Sequence, residues 1–176
     1  GSDVCSSDLQ VAVAINIMSA LCSSFTILFL FWTITAFGRK MFAKSEGSEK
    51  SKMYAILGSG LVGALTYTFS DSFWFSAVEG EVYAMSSFFT AIAFWCIMKW
   101  EREANKPHAS RWLVLIAYLM GLSVGVHLLS LLTIPAMGML YYYKNYEYSK
   151  LGAIKAFLIS MVLLGLVQGV IIPVAL

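Results

Sequence analysis

Charge is scarce in this chain: of its 176 residues only 12% are Asp, Glu, Lys or Arg, where an ordinary soluble domain carries about a quarter. With 59% hydrophobic side chains and a mean hydropathy of +0.75, that scarcity excludes a water-soluble globular domain. One soluble core does not call for repeated apolar runs of roughly fifteen to twenty-seven residues; a hydrocarbon layer, which takes about 20 apolar residues to cross, does. Cysteine is sparse too. Cys5, Cys22 and Cys96 form an odd set without metal-ligand spacing, so no disulfide framework is implied, and two of them fall in apolar runs where a small thiol packs easily. No basic stretch followed by an apolar core opens the chain, so residues 1–9, GSDVCSSDL, are not a signal peptide. They resemble the translated read-through of a sequencing adapter and are set apart from residues 10–176. No internal repeat is visible, which weighs against an inverted-repeat transporter. The sequence stops directly after the apolar IIPVAL, and the expectation is a partial multi-pass domain cut at both ends.

What is present is a series of apolar segments, at 11–37, 53–69, 82–98, 112–126, 127–143 and 151–176. They predict an all-α, polytopic transmembrane helix bundle with about six membrane segments. The first, at a 1.5 Å rise per residue, would be roughly 40 Å long, enough to cross a core of about 30 Å with tilt. Gly58, Ser59, Gly60, Gly63 and Ala64 in the second are read as a surface for close helix approach, and Gly121 and Gly125 as another. Pro107 breaks any helix in the loop before Trp112. Residues 112–143 allow two short crossings meeting near His127 or one kinked crossing. Two crossings put all twelve Lys and Arg on one side, with Lys155 snorkelling back to it. That is the positive-inside pattern, so the two-crossing reading is taken and the basic loops are assigned to the cytoplasm. Residues 70–81 and His127 then face the extracytoplasmic side.

Residues 70–85, SDSFWFSAVEGEVYAM, carry Asp71, Glu79 and Glu81 among aromatics with no Lys or Arg. On a helix Glu79 and Glu81 would sit about 200° apart, whereas an extended segment aims both the same way, and Gly80 makes a turn or extended path easy. Such a pair can hold a divalent cation (Mg or Mn), or position and deprotonate a hydroxyl. Phe73, Trp74, Phe75 and Tyr83 add a surface for stacking or lipid contact. The plain alternative is that the acids favour the N-terminus of the third crossing through the helix dipole, and that the aromatics are an interfacial belt. Asp71, between Ser70 and Ser72, also reads as part of a cap or turn. His127 could bond a phosphate, a sugar hydroxyl or a carboxylate, or cap a neighbouring helix. Asn16 and Gln168 are read as interhelical hydrogen-bonders, YYYKNYEYSK as an interfacial anchor and His108 as solvated.

The blocks NIMSALCSSFTILFLFWTIT, SDSFWFSAVEGEVYAMSSFFTA and GLSVGVHLLSLLTIP resemble a bacterial family of large polytopic proteins. That family was first catalogued as a domain of unknown function, is grouped with GT-C glycosyltransferases and is similar to a eukaryotic transmembrane protein O-mannosyltransferase. The resemblance covers about residues 11–146. It implies a fragment of an enzyme of the bacterial inner membrane that takes a sugar from a polyprenyl-phosphate donor and places it on an acceptor, protein hydroxyl or glycan, at the extracytoplasmic face. Its partners would be the bilayer, the lipid-linked donor and the acceptor, with no nucleic acid. The principal catalytic carboxylate of GT-C enzymes lies on the first extracytoplasmic loop, which this chain lacks by its order of segments, so the fragment is expected to be inactive alone. Glu79 and Glu81 correspond by position to an acidic pair near a metal or the donor phosphate in some members. The expected substrate-binding set is Glu79, Glu81, Tyr83, His127 and Asp71, with Glu79 and Glu81 as metal ligands. A transporter or channel subunit and a non-catalytic membrane scaffold are the other readings.

Overall fold

The structure, a computed structural model, describes residues 2–43, 46–80, 82–171 and 173. Among them every regular element is helical and none is a strand, as hydrocarbon demands: with no water to hydrogen-bond, a spanning backbone must satisfy its own N–H and C=O groups. The chain divides into two compact units, Gly1–Trp95 and Cys96–Leu176.

In the first unit, α1 (Ser2–Phe42) runs antiparallel in sequence to α2 (Glu49–Thr68), followed by the short α3 (Asp71–Val78) and the start of α4 (Val82–Glu103). α1 continues back through the residues set apart as foreign. Its packing is inverted relative to a soluble helix. Val13, Leu21 and Phe25 are exposed, while Ser19, Ser23, Thr26 and Thr35 are buried. Lipid is as apolar as leucine, so large aliphatic side chains gain nothing by hiding, and helices meet instead through small and hydroxyl residues. Gly60 lies so close to α1 that a Cβ there would fall 2.6 Å from Thr35 Cγ2 and 3.0 Å from Phe31. A Cβ on Gly63 would fall 2.7 Å from Ile34 Cδ1, and Ala64 is buried on the same side. Of the small residues read as a contact surface, Gly58 has nothing within 4 Å. Phe25, Phe29, Trp32, Phe88 and Trp95 form a chain of ring contacts between α1 and α4, with centroids 5.4–6.1 Å apart.

In the second unit, α5 (Ser110–Val124) leads into a 3-10 turn (Leu128–Thr133), then α6 (Ile134–Asn145), α7 (Lys150–Leu166) and a π turn (Val167–Ile171). The loop before α5 is tied by Glu103 Oε2, which accepts from Trp112 Nε1 at 2.9 Å; within it His108 is exposed and holds φ 67°. Among the described residues the Gly121 and Gly125 pair meets no neighbouring helix: a Cβ on Gly121 would meet nothing within 4 Å, and one on Gly125 only its own helix's Leu122 carbonyl. The close approach is made by Gly138 against Ser160 and by Gly152 beneath Tyr142. The Tyr142 hydroxyl accepts from the Ser149 N–H at 3.2 Å and donates to the Glu147 carbonyl at 3.1 Å, closing the α6–α7 connection. Tyr146 stacks on Tyr142 and Tyr148 on Tyr143, so part of YYYKNYEYSK is a folded aromatic turn. Gln168 is exposed within the π turn.

Among the described residues three helices are long and apolar enough to cross a membrane, Leu9–Phe42, Val82–Glu103 and Lys150–Val170, and a fourth crossing is available if α2 and α3, bent by 66°, count as one. The expected segments 112–126 and 127–143 take a different form. α5 has 15 residues, about 22 Å of helix against about 30 Å of hydrocarbon, and the second stretch is divided by the 3-10 turn.

Because Gly60 has no room for a side chain and Gly58 has open space, Gly60→Leu should destabilise the α1–α2 pair by about 1–3 kcal/mol while Gly58→Leu stays near neutral. Thermal unfolding of the two variants in the same detergent checks the contrast.

Candidate functional site

The acidic segment starts where α2 stops. The Thr68 hydroxyl donates to the Ala64 carbonyl and that of Ser70 to the Tyr67 carbonyl, both at 2.8 Å. Phe69 leaves helical geometry at φ −93°, ψ 12° and Ser70 is extended at φ −73°, ψ 137°. Side-chain hydroxyls thus take the last carbonyls of α2 and the chain restarts in a new direction. Residues 71–78, anticipated as a connection, form α3. Its inward side chain is Phe73, 5% exposed, with its ring centroid 4.5 Å from that of Tyr67. Trp74, Phe75 and Val78 are exposed, and Trp74 stacks on Phe69.

Asp71 occupies the first turn of α3 and is exposed, where a carboxylate favours the free N–H groups. Ser70 does not cap with its side chain, so the cap expected from the Ser-Asp-Ser cluster is a backbone one. Glu79 terminates α3 in extended geometry, φ −85°, ψ 140°, its N–H donating to the Phe75 carbonyl at 2.9 Å. Its side chain is therefore out of helical register, as an aligned acidic pair requires, and Glu79 makes no ion pair among the described residues. Glu81, the other member, lies outside the described residues. Tyr83 stands in the first turn of α4, 45% exposed. Among the described residues no group of three His, Cys, Asp or Glu gathers as a metal shell.

Gly80 has a role that the sequence suggested differently. Among the described residues only Gly47 has positive φ of the glycines, so Gly80 is not needed for a left-handed turn. It is needed for proximity: a Cβ there would lie 2.7 Å from Ile15 Cγ2 and 3.2 Å from Asn16 Oδ1. The acidic segment is thereby seated on α1. Asn16, read as an interhelical hydrogen-bonder, instead sits beside Gly80, and it is the residue of this site that sequence reasoning left out. A lone amide in an apolar run was the available signal.

His127 belongs to the second unit, where it opens the 3-10 turn. Its Nδ1 accepts from the Leu129 N–H at 3.0 Å, so the capping alternative is realised, and in the neutral ring this bond leaves the proton on Nε2. Behind it is a buried hydroxyl chain. Ser130 Oγ donates to Ser123 Oγ at 2.7 Å, Ser123 Oγ to the Met120 carbonyl at 2.7 Å, and Thr133 Oγ1 to the Ser130 carbonyl at 2.8 Å. Ser123 and Ser130 are wholly buried, so these bonds hold the break between α5 and α6 to one shape.

The family model described as protein O-mannosyl-transferase TMEM260 N-terminal domain matches residues 3–150. The chain belongs to this family. The match includes the acidic segment, Asn16, Tyr83 and His127, so each candidate residue lies within the TMEM260 N-terminal domain. No curated protein and no solved structure matches the chain.

The clash expected at Gly80 makes a direct test of the seating. Gly80→Ala should lower thermal stability by about 1–3 kcal/mol, and adding Ile15→Ala, which removes the opposing Cγ2, should recover part of that loss; a double variant no better than the single one would show that α1 does not hold this segment.

Proposed function

We propose that this chain is part of a GT-C-type integral-membrane glycosyltransferase of the bacterial inner membrane, moving a sugar from a polyprenyl-phosphate donor to a protein hydroxyl at the extracytoplasmic face. The observation that carries the reading is the family match over residues 3–150. The exposed Glu79, unpaired among the described residues, supports it.

In such a transfer the bond between the anomeric carbon and the phosphate oxygen breaks, the acceptor oxygen bonds that carbon, and its proton passes to a base. A carboxylate within hydrogen-bond reach serves as base, and donors or a cation steady the departing phosphate. On this reading Glu79 and Glu81 orient the acceptor hydroxyl or hold a divalent cation. Tyr83 and Asp71 complete the rim of the same segment. His127 assists at a phosphate or sugar oxygen.

The test separates chemistry from folding. In the protein that carries this domain, Glu79→Gln and Glu81→Gln should each lower sugar transfer by about 100-fold or more, the scale of a lost acid–base group, with membrane insertion unchanged. His127→Asn keeps a good capping acceptor and loses the imidazole, so it should preserve stability and still depress transfer. His127→Ala should in addition cost about 1 kcal/mol of stability. Full transfer by Glu79→Gln, Glu81→Gln and His127→Asn would remove a part in the transfer from each of the three residues.

A further inference from the structure

At the end where its two helices are connected, the α1–α2 hairpin bears an open cleft of about 260 Å3. Its walls include Arg39 and Phe42 from the last turn of α1, and Glu49, Lys52, Ile56 and Leu57 from α2. Lys52 is the unusual member. Its side chain is only 19% exposed, and its ammonium donates to Glu49 Oε1 at 3.3 Å, a carboxylate that is itself 91% exposed. Withdrawing an ammonium from water is costly, and a pair with so exposed a carboxylate returns little. Arg39 has no hydrogen bond or ion pair among the described residues. The cleft thus holds two cations against one solvated carboxylate, over an apolar floor.

Its position fixes what could complete it. α1 is apolar from Leu9 onward and turns basic in its last turn at Arg39 and Lys40, so this end of the hairpin lies where hydrocarbon gives way to headgroups. Residues 39–52 carry five Lys or Arg against two Glu, which draws anionic lipid toward the same end. A soluble anion would use the cations and leave Phe42 and Leu57 without a counterpart, Ile56 being already packed beside Gly38. A lipid uses both. The geometry points to a cleft for the headgroup of an anionic membrane lipid, with Arg39 and Lys52 on its phosphodiester and Phe42 and Leu57 against the beginning of its acyl chains. The plainer account, a solvated basic turn that attracts anionic lipid diffusely, leaves the burial of Lys52 unexplained.

The purified protein, reconstituted in nanodiscs of phosphatidylcholine with a minor fraction of phosphatidylglycerol, is analysed by native mass spectrometry for lipid retained through delipidation. Phosphatidylglycerol should be retained over phosphatidylcholine and should saturate at a single molecule per chain. Arg39→Gln and Lys52→Gln should each reduce retention by about fivefold. Lys50→Gln, in the same basic stretch but not on the cleft wall, should leave it unchanged, and excess inorganic phosphate should not displace the lipid. Equal loss in Lys50→Gln would show a diffuse field, and displacement by phosphate would show a soluble-anion site; either overturns the assignment. Graded uptake with no saturating first lipid, read on the unmodified protein, overturns it even if the variants fail to fold.

Discussion

In a hydrocarbon layer a helix gains nothing from turning its leucines inward, so α1 must be held by contacts at which a missing side chain admits a neighbour. Two such contacts lie far apart along it. Gly60 and Gly63 of α2 receive Phe31, Ile34 and Thr35, and Gly80 receives Ile15 and Asn16. The first seats α2 against the C-terminal half of α1; the second seats the acidic segment against its N-terminal half. Everything proposed for Glu79 depends on the second, because a carboxylate on an untethered loop would lose the positional precision that acid–base chemistry needs.

Hydroxyl side chains do a complementary job. On α1 the hydroxyls of Ser24, Thr26 and Thr33 donate to carbonyls four residues back, at 2.8 Å. Where helices continue, these bonds let a polar group lie in an apolar layer without seeking a partner across it. Where helices end, as at Thr68 and Ser70 or at Ser123, the same bonds take carbonyls at or near the break and fix the new direction. Both candidate regions sit immediately after such a break: residues 70–80 in one unit and His127 in the other. Ser23 Oγ is buried with no partner among the described residues, and no physical account of it follows from its surroundings.

Much of the fold was legible because membrane helices announce themselves through composition alone. The apolar runs fall on α1, α2, α4, α5, α6 and α7, and the small-residue surface of α2 was correctly placed at Gly60, Gly63 and Ala64. What composition could not give was the outcome of local competition. Residues 71–78 are aromatic and short, equally compatible with a loop or two helical turns, and α3 forms because Phe73 finds Tyr67. Gly121 and Gly125 have the spacing of a packing motif, yet spacing does not say whether a neighbour arrives, and among the described residues none does. At the candidate site the residue types and the extended geometry of Glu79 were readable. The reason for Gly80 was not, since a close approach depends on a partner about sixty-five residues away, nor was the involvement of Asn16.

His127 shows how a bland role and a functional one can coexist. Its Nδ1 is occupied by the Leu129 N–H, and that bond argues for usefulness as much as against it. A ring held at one nitrogen has a fixed tautomer and orientation, and the other nitrogen then presents a proton in a defined direction. The same logic applies to Glu79, whose N–H ends α3 while its carboxylate is left out of helical register. In both cases a backbone N–H bond marks the end of an element: the Leu129 N–H to the His127 ring opens the 3-10 turn, and the Glu79 N–H to the Phe75 carbonyl closes α3. A residue that only terminated a helix could be replaced by any good capping group without functional loss; a residue that terminates it in order to aim its chemistry could not. Asp71, in the first turn of α3, is in addition favoured there by the local dipole.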